Sequence, residues 1–118
     1  GKRMNRFGGL TGNSQQRWNG WLIRANEGSP VQAIHHGRVL FSDWLRGFGL
    51  LMILDHGNGY LSLYGRNQSL LHDTGEWVNA GDQIATVGNS GGFEKIRLYF
   101  EIRKKGKPQN PGRWLTKG

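Results

Sequence analysis

Apolar and polar residues alternate without a break from Arg97 to Arg103. Leu98, Phe100 and Ile102 fall on one side, and Arg97, Tyr99, Glu101 and Arg103 on the other. A period of two marks a half-buried strand, because successive side chains leave opposite faces of the pleat. Leu50-Leu51-Met52-Ile53-Leu54 is instead an unbroken apolar run, which predicts a strand buried on both faces. Val39-Leu40-Phe41 reads as the strand before it, with Asp43–Gly49 supplying the turn between them. Asn58-Gly59 predicts a two-residue hairpin, since a type I′ turn needs positive φ at both central positions. Tyr60-Leu61-Ser62-Leu63-Tyr64 is then the returning strand. Gln83–Val87 is a further strand, followed by the glycine-rich loop Gly88-Asn89-Ser90-Gly91-Gly92. No repeat or heptad interrupts this pattern. It predicts an all-β, mainly antiparallel domain: a small twisted sheet that curls toward a sandwich. Residues 1–16, rich in Gly, Asn, Gln and Arg, read as an N-terminal arm or loop, and residues 17–118 as the domain proper.

Composition agrees with that reading and adds a bias in charge. Twenty glycines in 118 residues suit short strands and tight turns. Sixteen Lys and Arg against eight acids give a net charge of +8, which favours an anionic partner: nucleic acid, a membrane surface, an acidic protein or the cell wall. Arg103-Lys104-Lys105-Gly106-Lys107 is the one dense cluster. No run approaches the roughly 18 apolar residues of a membrane-spanning helix. The lack of a charged-then-apolar leader at Gly1 predicts a mature fragment of a longer protein. Without cysteine there is no disulfide or thiolate metal site, and the compartment is left open.

Several segments resemble a known family. Gly47-Phe48-Gly49, Asp55-His56-Gly57-Asn58-Gly59-Tyr60, Leu63-Tyr64, Arg97–Arg103 and Asn110-Pro111 are similar to the LytM-type (M23) peptidoglycan endopeptidase domain, from about Arg17 to Leu115. The resemblance implies a twisted sheet of the duplicated-hybrid-motif kind with a groove. Active members hold zinc there through His-x3-Asp and the second His of His-x-His, leaving an open position for water. Aligned on this chain, those ligands become Trp18, Leu22 and Tyr99. The two auxiliary histidines become Arg97 and Arg66. An indole has no available lone pair, leucine has no donor atom, and arginine stays protonated and cannot act as a general base. The expectation is no metal, no cofactor and no catalysis. The remaining histidines offer no substitute: His35 and His36 are adjacent on opposite faces, His56 suits a turn-holding role, and His72 lies in a polar loop.

Within the family the resemblance is to EnvC-type murein hydrolase activators. Arg38-Val39-Leu40, Asp43-Trp44-Leu45, Tyr64-Gly65-Arg66-Asn67-Gln68-Ser69 and Leu98-Tyr99-Phe100-Glu101 carry it. It implies a periplasmic domain that activates N-acetylmuramoyl-L-alanine amidases at the division septum, zinc enzymes held off by a helix over their own active sites. Trp18, Asn19, Leu22, Phe48, Leu51, Arg66, Arg97, Tyr99 and Arg103 are then the expected partner-binding groove. Aromatic and arginine side chains make good protein anchors, and an amphipathic helix in a groove is a recurrent recognition mode. Tyr99 stands out among them because alternation sets it opposite Leu98 and Phe100. Core packing is the better reading for Leu51, Arg97 and Arg103 also suit a solvated sheet edge, and Trp44, Trp77 and Trp114 read as packing residues. A monomer is the default. A passive peptidoglycan-binding module is the alternative function, and nucleic-acid binding, resting on charge and scattered aromatics alone, ranks below both.

Overall fold

The computed structural model of the protein describes residues 2–3 and 20–109. Ten antiparallel strands form one hydrogen-bonded system: β1 Lys2–Arg3, β2 Trp21–Arg24, β3 Pro30–Gln32, β4 Gly37–Leu45, β5 Gly49–Gly57, β6 Tyr60–Leu70, β7 Trp77–Val78, β8 Gln83–Val87, β9 Arg97–Lys104 and β10 Lys107–Gln109. The main sheet runs β1-β2-β9-β6-β5-β4-β7, with β10 added to β9. β8 pairs with both β3 and β6. The all-β antiparallel expectation holds. No described residue is helical, so none of the described residues forms a helix long and apolar enough to cross a membrane.

β6 is the long central strand, and one of its edges serves two partners. Tyr60–Gly65 pair with β9, while Asn67, Ser69 and Leu70 pair with β8. Arg66 sits at the changeover with φ of 63°, a left-handed conformation that costs a side-chain-bearing residue about 1 kcal/mol or more. Its N–H leaves the ladder and donates to the Phe48 carbonyl at 2.7 Å. Asn67, fully buried, holds the break closed: its Nδ2 donates to the carbonyls of Tyr64 (2.6 Å) and Leu50 (2.9 Å).

The core gathers Met52 and Leu54 of β5, Tyr64 of β6, Phe100 and Ile102 of β9, and Val39 of β4 against Val31, Ile84, Ala85 and Val87 of β3 and β8. Alternation along β9 thus sends Phe100 and Ile102 inward. The β5–β6 hairpin turns at Asn58 and Gly59, with φ of 55° and 82°, the positive pair that a type I′ turn requires. The strand at Val39–Phe41 runs on to Leu45, and the turn contracts to three residues, Arg46-Gly47-Phe48. Leu40 falls at a bulge between Val39 and Phe41 and is exposed. Two tryptophans read as packing residues are also exposed: Trp44 is 53% accessible and Trp77 63%. β4 has only the two-residue β7 on its outer edge, so nothing there can bury them. Trp77 stacks on His36 instead, with ring centroids 5.3 Å apart. Trp114 and the Asn110-Pro111 motif lie outside the described residues, as does all of the expected arm except Lys2 and Arg3, which pair with Arg24 and Ile23.

A polar chain crosses the hairpin base. His56 Nδ1 lies 2.8 Å from the His36 carbonyl, and Nε2 lies 2.6 Å from Ser62 Oγ. Ser62 Oγ is 2.8 Å from the Tyr64 hydroxyl, which accepts from the Ile34 N–H. His56 therefore fastens the turn, as its place in the Asp-His-Gly segment suggested. Burial pushes the Tyr64 phenol up to about 12 and holds the His56 imidazole below its usual 6.5. His35 and His36 beside it push the same way, and Asp55 and the His36 carbonyl oppose. Below pH 6.5 the unfolded chain binds more protons at this site than the folded one. The stabilisation is complete above pH 6.5 and is lost as pH falls toward the lower folded value. Thermal unfolding should show a midpoint falling between pH 7.5 and 5.5, and His56→Gln should flatten that slope while lowering the midpoint overall. An unchanged slope in the variant would remove His56 from the pH dependence.

Candidate functional site

Register brings the candidate residues together. Leu22 of β2 pairs with Tyr99 of β9, and Gly65 of β6 pairs with Tyr99 from the other side, so β9 presents Tyr99 in the middle of a three-strand face. The Arg46–Phe48 turn, with glycines at φ of 89° and 74° on either side of Phe48, tips that ring toward Tyr99. Their centroids are 5.8 Å apart and tilted at 59°. Arg66 reaches the same place from the break in β6. Its guanidinium lies 3.5 Å from the centre of the Phe93 ring, and its charge is felt at the Tyr99 phenol. Phe93 is the residue that sequence reasoning missed. It follows the glycine-rich loop, which packs so closely on β5 that a β-carbon on Gly49 would lie 2.3 Å from the Ser90 carbonyl oxygen. Ser90 Oγ accepts from the Leu50 N–H at 2.9 Å and completes the dock. A glycine-rich loop ending in an aromatic was the available signal.

Beneath this face lies a buried carboxylate. Glu101 is fully buried; its Oε2 accepts from the Tyr99 hydroxyl at 2.6 Å, and Oε1 accepts from Arg103 Nε. Burying a lone carboxylate costs several kcal/mol, and the two bonds, one of them an ion pair, offset that cost. Burial, then the bond to Glu101, pushes the Tyr99 phenol far above its usual range. It stays a neutral donor.

The expected groove residues divide as follows. Leu22, Phe48, Arg66, Arg97 and Arg103 are partly buried and line the face, with Tyr99 at its centre 9% accessible. Arg97 donates to the Ile96 carbonyl at 2.7 Å. Leu51 is completely buried on β5, in keeping with core packing, and presents no contact surface. Trp18 and Asn19 lie outside the described residues. A concavity of about 320 Å³ lined by His35, His56, Asn58 and Tyr60 contains none of these residues.

The donor chemistry does not fit zinc. Leu22 offers carbon, the Tyr99 oxygen is committed as a donor to Glu101, and Arg66 and Arg97 bring positive charge. Among the described residues no group of three or more His, Cys, Asp or Glu could hold a metal ion. The scaffold is nevertheless that of a zinc peptidase: the profile of peptidase family M23 matches residues 16–111.

The chain belongs to peptidase family M23.

Two relatives sharpen the comparison. The murein hydrolase activator EnvC of Escherichia coli is 48% identical over 115 residues, covering 98% of this chain and 27% of EnvC. The murein hydrolase activator NlpD of the same species is 40% identical over 116 residues, again 98% of this chain and 29% of NlpD. The chain thus spans between a quarter and a third of the length of these relatives. The catalytic domain of the prophage-encoded M23 protein EnpA of Enterococcus faecalis superposes with a TM-score of 0.82 at 25% identity, covering 94% of this chain and 88% of that one. The M23 fold is shared with peptidases, while these two relatives are named activators.

The Glu101 bonds have a measurable weight. Tyr99→Phe should lower stability by about 1–2 kcal/mol, and Arg103→Ala by roughly 2–4 kcal/mol, because each leaves the buried carboxylate short of a partner. In a Glu101→Gln background both losses should shrink to a few tenths of a kcal/mol. Chemical denaturation of the double-mutant cycle checks this, and undiminished losses there would show that Tyr99 and Arg103 act on stability through other contacts.

Proposed function

We propose that this chain is a non-catalytic M23 domain that activates periplasmic N-acetylmuramoyl-L-alanine amidases during septal peptidoglycan splitting, using the face around Tyr99. One observation carries the reading: Leu22 and Tyr99, which the resemblance aligns with metal ligands, pair on a face with Phe48, Phe93 and Arg66, and the Tyr99 hydroxyl is already spent on Glu101. Such a surface can bury apolar area and direct arginine donors at a partner, and it has no group able to deliver water to a peptide bond. The activator names of EnvC and NlpD support the same direction.

Activation by binding is a shift of populations. An amidase held closed by its own helix opens only if the activator binds the open form more tightly. Moving a closed-to-open ratio from 99:1 to 1:99 takes about a 10⁴-fold preference. Several aromatic and aliphatic contacts acting together are the ordinary source of such a difference.

The alternative, passive retention on peptidoglycan, has its own observation. Trp77 is exposed beside His36, with the Arg38 guanidinium 5.9 Å from its ring centre. An exposed aromatic beside a guanidinium suits an anionic glycan. Retention on purified sacculi that falls with Trp77→Ala, without amidase stimulation by the parent domain, would favour this reading.

The main test is dye release from labelled sacculi by amidase alone, domain alone and both. The domain alone should release nothing above buffer, and the mixture should exceed the amidase alone. Leu22→Asp, at a partly buried position on the face, should cut stimulation about tenfold while the thermal midpoint moves little. Chelator-sensitive hydrolysis by the domain alone would overturn the non-catalytic assignment. Tyr99→Ala is a poorer probe, because it strips a donor from buried Glu101 and disturbs the fold along with the face.

A further inference from the structure

We infer that Arg66 is the receptor for a carboxylate on the protein partner: the face around Tyr99 takes a segment bearing an Asp or Glu flanked by apolar residues. This rests on the activator reading above and adds the chemistry of the segment that docks.

The argument begins with an inventory of negative charge. The chain has eight acids: Glu27, Asp43, Asp55, Asp73, Glu76, Asp82, Glu94 and Glu101. All fall among the described residues. Their ion pairs there are Glu76 with His72 and Glu101 with Arg103. None reaches Arg66, and residues 4–19 and 110–118 contain no Asp or Glu that could.

Arg66 is therefore a partly buried cation with no anionic side chain of its own chain to answer it. Stacking on Phe93 occupies a face of the guanidinium plane; the N–H donors lie in that plane and are not spent on the stack. Burial makes its charge costly. The residue also holds φ at 63°, where glycine would sit without strain. A long cationic side chain kept at that position calls for a use beyond the fold.

Charge complementarity chooses the occupant. Arg103 is neutralised by Glu101, while Arg66 and Arg97 leave the face positive. Phe93 lies against the Arg66 guanidinium, and Leu22 and Phe48 flank Tyr99 on the same face, so a fitting ligand pairs one carboxylate with apolar side chains. A protein segment has that composition, and an arginine fork in such surroundings binds a carboxylate in bidentate fashion.

The test uses this chain and each purified N-acetylmuramoyl-L-alanine amidase of the same organism, with affinity read by fluorescence anisotropy at low and high salt. Arg66→Gln should weaken binding about tenfold or more and lose much of the salt dependence. Arg66→Lys should keep part of the affinity. Arg66→Glu should bind weakest, and a scan of amidase Asp and Glu residues to Lys should yield one variant that restores its binding. Unchanged thermal midpoints establish that the variants fold. Arg66→Gln with wild-type affinity, salt dependence and stimulation would overturn the anchor and leave the activator reading intact. Failure of the unmodified domain to bind or stimulate any amidase would overturn both. Loss confined to retention of purified muropeptides, with amidase affinity unchanged, would overturn the protein partner in favour of murein carboxylates.

Discussion

β6 cannot pair with β9 and β8 in one continuous ladder, and the candidate face is arranged around the way it changes from one to the other. Backbone donors at the changeover must still be satisfied. The Arg66 N–H is sent sideways to the Phe48 carbonyl, and the Asn67 amide takes the carbonyls of Tyr64 and Leu50. Three consequences follow from those few bonds. β8 is released to carry β3 over the core. The Phe48 turn is drawn onto β6 beside Tyr99. The loop after β8 returns against Gly49 and brings Phe93 beneath the guanidinium that the break has turned out. The Tyr-Gly-Arg-Asn segment is thus a folding device that also sets the place of Arg66 on the face.

The second constraint is electrostatic. Glu101 has no access to solvent, so its charge is tolerable only with donors held in place. Tyr99 and Arg103 supply them from the same strand, two residues away on either side, which is why the alternation of β9 matters for energy as well as for packing. Committing the phenol leaves the ring edge and the aliphatic neighbours to define the surface. Contact chemistry there is apolar and cationic, without a titratable group near neutrality.

What the sequence disclosed depended on whether the signal was local. The Asn58-Gly59 turn, the span of β8 and the two faces of β9 follow from dihedral demands and period-two patterning, which act within a few residues. The family resemblance set Leu22 and Tyr99 at neighbouring ligand positions, and the register pairs them. Long-range facts were out of reach. The unbroken apolar run around Leu51 does mark β5 as covered on both sides, but nothing near Trp44 and Trp77 says that β4 lies almost at the sheet edge. Glu101 alternates with Arg97, Tyr99 and Arg103 as a solvated residue would, and only the packed structure shows it sealed. Phe93 belongs to a loop whose position is set by contact with Gly49, forty-four residues earlier by the numbering.

The electrostatics of the face also bear on why a metal site and a docking site are hard to combine here. A divalent cation and a guanidinium about 5 Å apart repel by roughly 6–7 kcal/mol at an effective dielectric of about 20. In the resemblance to active members, Arg66 and Arg97 align with the auxiliary histidines. Restoring ligands at Trp18, Leu22 and Tyr99 would therefore leave two cations opposing the ion, and it would strip Glu101 of a donor as well. The same two arginines lower the energy of an approaching carboxylate. On the proposed reading, the feature that excludes the peptidase cofactor and the feature that selects an acidic partner are one arrangement of charge.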